Sequence, residues 1–325
     1  MKTVLVTGAN GFIGAHLCRA LAARDYRVRA LVRRTSDLQA LNGAAVELVY
    51  GDVTGADTLL PALRGATTVF HLAGVTRAVT REEYDRVNVT GTRNLVRAAA
   101  AEGLERFVLV SSLAAAGPAS EGAPRTETDD PRPVGMYGQS KREGEIVCLN
   151  EAPGSMRVTI IRPAIVYGPY DDDLLVLYRT ARRGLAPTVP GDICASMIHV
   201  TDLVDLIERA GRFPVAAGRV YFAADPEPYW MRDIVRLMGR AVKRRVRFFP
   251  VIPVCLYPLA LINELLLRVG GGLPVLTRSR LHDYRHRFWT ADPSAAIRDL
   301  DWKPAIDIAQ GIRTTTAWYR EHGWL

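Results

Sequence analysis

The chain has 325 residues, a formal net charge of +8, 48% apolar residues and 23% charged residues. At roughly 150 residues per domain, that length predicts about two lobes, and the apolar and charged fractions exclude a disordered tail protein and a coiled coil. Four cysteines, at 18, 148, 194 and 255, form no CxxC pair and no zinc cluster; they read as small buried residues in a reducing compartment.

Met1 and Lys2 lead straight into Thr3–Thr7, a first strand with no signal region before it, so a cytoplasmic location is expected. Phe12, Ile13, Leu17 and Leu21 recur at helical spacing, and Arg27–Val32 follows as a second strand. Thr35-Ser36-Asp37 is expected to cap a short helix. Val46–Tyr50 reads as a third strand, Leu59–Leu63 as part of a helix and Val69–Leu72 as a fourth strand. The spacing predicts one long helix over Arg81–Glu102, then strands at Phe107–Val110 and Val158–Ile161, the former apolar enough to be buried on both faces. Short strands alternating with amphipathic stretches predict βαβ units and a doubly wound parallel sheet of the α/β class, Rossmann-type.

Beyond this frame, prolines between 187 and 274 break the chain into short pieces, the mark of a smaller C-terminal substrate lobe. Arg219–Phe222 is expected to return to the first sheet, and Tyr229–Arg240 to form a helix. The nucleotide-binding domain is therefore placed at 1–167 plus about 195–224, and the substrate lobe at about 168–194 and 225–325.

Thr7-Gly8-Ala9-Asn10-Gly11-Phe12-Ile13-Gly14 puts three glycines at i, i+3 and i+6 between a strand and a helix. Glycines there let the backbone turn tightly and approach a pyrophosphate at the positive end of the helix. Further along stand Asp52-Val53 after the third strand, His71-Leu72-Ala73-Gly74 after the fourth and Val110-Ser111-Ser112 after the fifth. Tyr137-Gly138-Gln139-Ser140-Lys141 and Arg162-Pro163-Ala164-Ile165-Val166-Tyr167-Gly168-Pro169 complete the set. Tyr137 and Lys141, four apart, share one face of a helix beginning near Met136. A phenol with a pKa near ~10 becomes a usable acid/base when an ammonium stabilises its phenolate. Only four of the 42 basic residues are lysines, and one stands at 141, where the compact ammonium has no arginine equivalent.

These segments, in this order over nearly the whole chain, resemble the extended branch of the short-chain dehydrogenase/reductase superfamily. The resemblance implies an NAD(P)-dependent oxidoreductase moving a hydride between nicotinamide and a secondary alcohol or ketone. Ser112, Tyr137, Lys141 and Asn88 would be catalytic. Ser112 is preferred to Ser111 because it lies five residues before Gly117, as in the family's pattern. Gly8, Asn10, Gly11, Phe12, Ile13, Gly14, Arg33, Asp52, Val53, Leu72, Ala73, Gly74, Pro163 and Val166, with Tyr137 and Lys141, would bind the cofactor. Leu31-Val32-Arg33-Arg34 closes the second strand with guanidinium groups and no carboxylate, which favours NADP over NAD, with Asp37 as the counter-reading.

Where dehydratases of this resemblance carry an Asp-Glu pair, the chain has Leu113-Ala114, and where nucleotide-sugar enzymes carry an arginine it has Ala195, with Arg179, Arg182 or Arg183 as candidate substitutes. An apolar substrate is favoured; a nucleotide-sugar 4-epimerase with tightly held NAD and a non-catalytic cofactor-binding scaffold are the alternatives. Phe248–Asn263 carries no charge and follows Lys243-Arg244-Arg245-Val246-Arg247. Three readings stay open for it: a buried or lid helix, a wall for an apolar substrate, and a peripheral membrane contact spanning 248–268. His16, His71 and His282 read as structural, no metal is expected, and the arginine runs at 278–280 and 285–287 carry no nucleic-acid-binding motif. The expected partner is a small-molecule substrate, and a homodimer is left open.

Overall fold

Strands a few residues long, apolar on both faces, can be satisfied only inside a layered structure. A computed structural model of the chain describes residues 1–252, 256–268 and 278–325; Cys255 falls outside them. Seven parallel strands form its main sheet: β1 (Thr3–Thr7), β2 (Arg27–Val32), β3 (Val46–Tyr50), β4 (Thr68–His71), β5 (Arg106–Val110), β6 (Arg157–Pro163) and, far along the chain, β11 (Val220–Ala223). Their order is β11-β6-β5-β4-β1-β2-β3, with Val4 opposite Thr68 on one side and Val28 on the other. The order reverses at β1, which opens a crevice at the carboxyl ends of the strands. The expected return of the 219–222 strand is met: Val220 pairs with Ile160.

Alternation along the strands divides the core. Val4, Val6, Phe70, Val108 and Val110 face α1 (Phe12–Ala22) and α8 (Val200–Arg212), while Leu5, Val69, Phe107 and Leu109 face α2 (Leu59–Leu63) and α4 (Thr92–Ala101). The helix predicted over 81–102 is not continuous. It runs as α3 (Arg81–Asp85), a π-helical turn at Arg86–Gly91, and α4. The widened turn lets the Asn88 carbonyl accept the Thr92 hydroxyl at 2.7 Å, and α6 (Met136–Glu151) crosses so close that a Cβ on Gly144 would lie 2.5 Å from that carbonyl. The expected cap at 35–37 is not met: a 3-10 turn at Gln39–Leu41 follows with Leu38 at its N-cap and no side-chain cap, and Asp37 Oδ1 accepts the Gln39 amide at 2.9 Å from one residue before it.

The second core gathers Tyr167, Tyr178 and Tyr319 among α7 (Leu175–Arg183), α9 (Met231–Ala241) and α13 (Ile308–Glu321). Small sheets surround it. β7 (Ile165–Tyr167) pairs with β10 (Met197–His199), and β8 (Leu185–Thr188) with β13 (Arg247–Pro250). β9 (Cys194–Ala195) lies between β12 (Tyr229–Trp230) and β14 (Phe288–Trp289), so the predicted 229–240 helix begins only at Met231. α12 (Ser294–Asp299) and Trp302 pack into the first core, on the α1 and α8 side.

Candidate active site

The glycine turn is shaped by contacts that leave no space for side chains. Gly8 sits at φ +66°, and a Cβ there would lie 2.7 Å from the Ala73 amide nitrogen; one on Gly14 would lie 2.1 Å from the Gly8 carbonyl oxygen. The segment after β4 is thereby pressed against the turn, and α1 opens at Gly11 with no side chain capping its first amides. Amides that no side chain caps, at a helix N-terminus beside a tight glycine turn, fit a dinucleotide pyrophosphate. Phe12, Ile13, Leu72 and Val166 are partly buried and each packs against the first core. Asn10 donates to the Asp37 carbonyl at 3.1 Å, tying the turn to the loop after β2.

In that loop the Arg33 side chain is exposed, and Arg34 stacks over the Tyr50 ring at 5.1 Å. Asp37 Oδ1 accepts the Gln39 amide. Asp52, at the end of β3, accepts from the amide and hydroxyl of Thr54 at 2.9 and 2.8 Å. Val53 is buried and bears on the π-helical turn, where a Cβ on Gly91 would meet its Cγ2 at 2.8 Å.

One chain of hydrogen bonds joins the sheet to that turn. The Ala73 amide donates to Thr7 Oγ1, and Thr7 Oγ1 lies 2.7 Å from His71 Nδ1; His71 Nε2 lies 3.0 Å from Thr92 Oγ1, which donates to the Asn88 carbonyl. Since the Thr92 proton is committed to the Asn88 carbonyl, His71 donates from Nε2 to Thr92 and accepts at Nδ1 from the Thr7 hydroxyl. Burial, and secondarily the nearby Lys141 charge, push the His71 pKa down to about 3, so the ring stays neutral. Asn88 closes the chain: its Oδ1 accepts the Val75 amide at 2.8 Å, and its Nδ2 donates to the Val75 carbonyl and to Ser140 Oγ.

Tyr137 and Lys141 lie on successive turns of α6. Gly138 brings that helix against the turn of α5 (Leu113–Ala116), since a Cβ there would be 2.4 Å from the Ala114 carbonyl. Ser112 caps α5, its Oγ accepting the Ala114 amide at 3.1 Å. The half-buried Tyr137 ring is 6.1 Å from Tyr84. Lys141 is buried and donates from Nζ to the Val110 carbonyl at 2.8 Å, with Gly74 beside it: a Cβ on Gly74 would be 3.7 Å from Nζ and 3.1 Å from Asn88 Oδ1. Pro163 ends β6 opposite Ala223.

Burial pushes the Lys141 ammonium down to about 8, with Glu145 acting in the opposite sense. The ammonium is therefore complete below that pH and is lost as pH rises through it. In carbonyl reduction kcat/KM, which reports the free enzyme, is expected to fall above about pH 8. Glu145→Gln removes the raising influence and is expected to move this limb to lower pH; an unmoved limb would detach it from Lys141.

A buried ionic network escaped the reading by motif. Glu145 Oε1 accepts from Ser111 Oγ at 2.6 Å and Arg162 Nε at 2.8 Å, and Oε2 from Arg162 at 2.7 Å and Arg142 at 3.0 Å. Burial alone would raise this carboxyl, but Arg162, Ser111 and Arg142 together hold it below the usual carboxylate range. Ser111 is thereby committed to structure, whereas the Ser112 hydroxyl is only half-buried. The signal was available: Glu145 is four residues beyond Lys141, on the same helix face. Across the crevice Arg77 pairs with Asp172 and Asp173, which joins the loop after β4 to the one after β7. Ala195, where a diphosphate-binding arginine was sought, is fully buried in the central strand of its sheet; Arg182 and Arg183 are exposed.

Residues 4–224 match the family described as the NAD dependent epimerase/dehydratase family. The ceramide reductase of Caulobacter vibrioides (strain NA1000 / CB15N) is 30% identical over 323 residues, 99% of this chain and 96% of its own length. The UDP-glucose 4-epimerase of Vibrio cholerae is also 30% identical, over 97% of this chain and 94% of its own. Among solved structures, MoeE5 in complex with UDP-glucuronic acid and NAD superposes with a TM-score of 0.80 at 26% identity, covering 98% of this chain and 99% of that one.

Proposed function

For this chain, which belongs to the NAD-dependent epimerase/dehydratase family and is an NAD(P)-dependent oxidoreductase of the extended short-chain dehydrogenase/reductase type, we propose NADP-preferring reduction of a ketone, or oxidation of the matching secondary alcohol, on an apolar substrate. The observation that carries this reading is the buried Lys141 ammonium held against Val110 and Gly74, one helical turn from Tyr137. The bound dinucleotide supplies or takes up the hydride. Ser112 Oγ would orient and polarise the substrate oxygen, and the Tyr137 hydroxyl would deliver its proton to that oxygen. Lys141 would stabilise the phenolate left behind, and Asn88 would hold the 73–75 segment and α6 in register. Gly8, Gly11 and Gly14 would cradle the pyrophosphate, and Leu72, Ala73, Gly74, Pro163 and Val166 would border the nicotinamide half.

Preference for NADP is supported by Arg33, an exposed guanidinium beside the loop that Asn10 ties to the glycine turn. Of the competing Asp37, Oδ1 already accepts the Gln39 amide. An arginine meeting a phosphate makes charge-assisted bonds, so Arg33→Ser is expected to lower the NADPH-over-NADH ratio of kcat/KM about ten- to a hundredfold. An unchanged ratio would remove Arg33 from the site.

An apolar substrate is supported by the buried Ala195 where a diphosphate-binding arginine was sought and by the likeness to a ceramide reductase, while Leu113 and Ala114 after Ser112 leave no acid/base pair for dehydration. Turnover of long-chain ketones with NADPH, and none of UDP-sugars, is the expected result. Bound NAD surviving purification together with UDP-sugar epimerisation would overturn it in favour of the epimerase.

A further inference from the structure

In a helix packed on a globular protein the apolar side faces inward. Among its described side chains, α10 (Tyr257–Arg268) does the reverse. Its buried side holds Ala260, Asn263 and Glu264, while Leu259, Ile262 and Leu266, at i, i+3 and i+7, are 53%, 57% and 47% exposed. Leu261 is exposed as well, and so are Phe249 and Ile252 on the approach to the helix. Single exposed leucines are ordinary, but a contiguous apolar patch marks a contact surface.

The surroundings of the patch identify what it contacts. Lys243, Arg244, Arg245 and Arg247 are exposed on the segment running into it. On the other side Arg285 lies over the Tyr257 ring at 5.6 Å and is exposed too. Glu264 is the only acidic residue between 241 and 268, and it points inward. An exposed apolar face with Arg285 over its Tyr257 ring and a basic run shortly before it in the chain matches an anionic bilayer surface, where headgroups meet the cations and acyl chains receive the leucines. A second copy of the chain would instead bring the same cations to the contact. The helix lies on the surface and does not span: its twelve residues rise about 18 Å, against a hydrocarbon core of about 30 Å, and no described helix is long and apolar enough to cross a membrane.

We propose that the outward face of α10, with Lys243, Arg244, Arg245 and Arg247, docks this protein onto anionic lipid. The dock adjoins the active site. α10 packs against α11 (Arg278–Asp283), and the Asp283 carboxylate lies where a Cβ on Gly135 would fall, 2.6 Å from its Oδ1, two residues before Tyr137. The proposal holds whether or not the substrate is apolar.

The test is sedimentation of the full chain with vesicles of phosphatidylcholine, with and without phosphatidylglycerol. Binding is expected only with the anionic lipid and is expected to weaken as salt rises. Lys243→Gln/Arg244→Gln/Arg245→Gln should cost on the order of a hundredfold in affinity. Ile262→Ser/Leu266→Ser should abolish binding. Unchanged NADPH affinity, read by nicotinamide fluorescence, certifies that both variants are folded, and the charge variant alters only exposed side chains. Failure to bind, or equal binding to both vesicles, overturns the proposal. So does a change of molecular mass in the serine variant without a change in vesicle binding, which would assign the patch to a second copy.

Discussion

Tyr137→Phe is expected to lower the rate of hydride transfer about 10²–10⁴-fold, the usual contribution of a positioned acid/base, while NADPH affinity stays within a small factor of the parent. The substitution removes one oxygen from a half-buried ring that packs beside Tyr84, so it leaves the glycine turn, Lys141 and the Asn88 contacts in place. Single-turnover absorbance of the nicotinamide separates the two quantities. Undiminished transfer would mean that another group protonates the substrate oxygen and that the assignment of Tyr137 is wrong. Loss of transfer together with loss of cofactor affinity would mean that the ring supports the site structurally.

Glu145→Ala is expected to destabilise the fold by about 3–5 kcal/mol, because it strands the Arg162 guanidinium in the interior. The pair is fully desolvated, with side-chain exposures of 3% for Arg162 and 0% for Glu145, so solvent screening does not reduce the effect as it would at the surface. A lowered urea midpoint with unchanged slope is the readout. Adding Arg162→Met removes the stranded charge and should recover part of the loss. If the double variant is no more stable than the single one, the cost lies in packing of α6 against β6 and not in the unpaired charge.

Much of the nucleotide-binding half was legible because its signals are local. The strands expected at 3–7, 27–32 and 46–50 coincide with β1, β2 and β3 to the residue, since each is a short segment rich in apolar and β-branched residues that a turn ends. The Gly8, Gly11 and Gly14 spacing and the Tyr137–Lys141 pair were equally readable, as both depend on short spacings along one element. The π-helical turn at Arg86–Gly91 was not. It answers to the close approach of Gly144 and to the Thr92 hydroxyl, and neither alters the apolar periodicity of 81–102. The same holds for Glu145, whose partners Ser111 and Arg162 come from two strands that only the folded sheet brings together.

The 248–263 stretch shows a different limit. Its composition was compatible with an interior helix, but composition cannot state which side of a helix meets the protein. The described part of α10 buries Asn263 and Glu264 and leaves leucines outside, so a buried helix is corrected to an exposed apolar one. Residues 253–255 of the stretch lie outside the described structure.

The place of β11 in the sheet has a consequence for how the chain is made. β6 is flanked by β5 on one side and on the other by a strand that starts only at Val220. Until ribosomal synthesis passes that point, Ile160, Ile161 and the backbone of β6 form an open, apolar sheet edge, the kind of template on which unfinished chains join one another. A fragment cut after residue 167 keeps that edge permanently. The main sheet is thus continuous in sequence as far as β6, yet it is complete only when a strand from much further along the chain closes it.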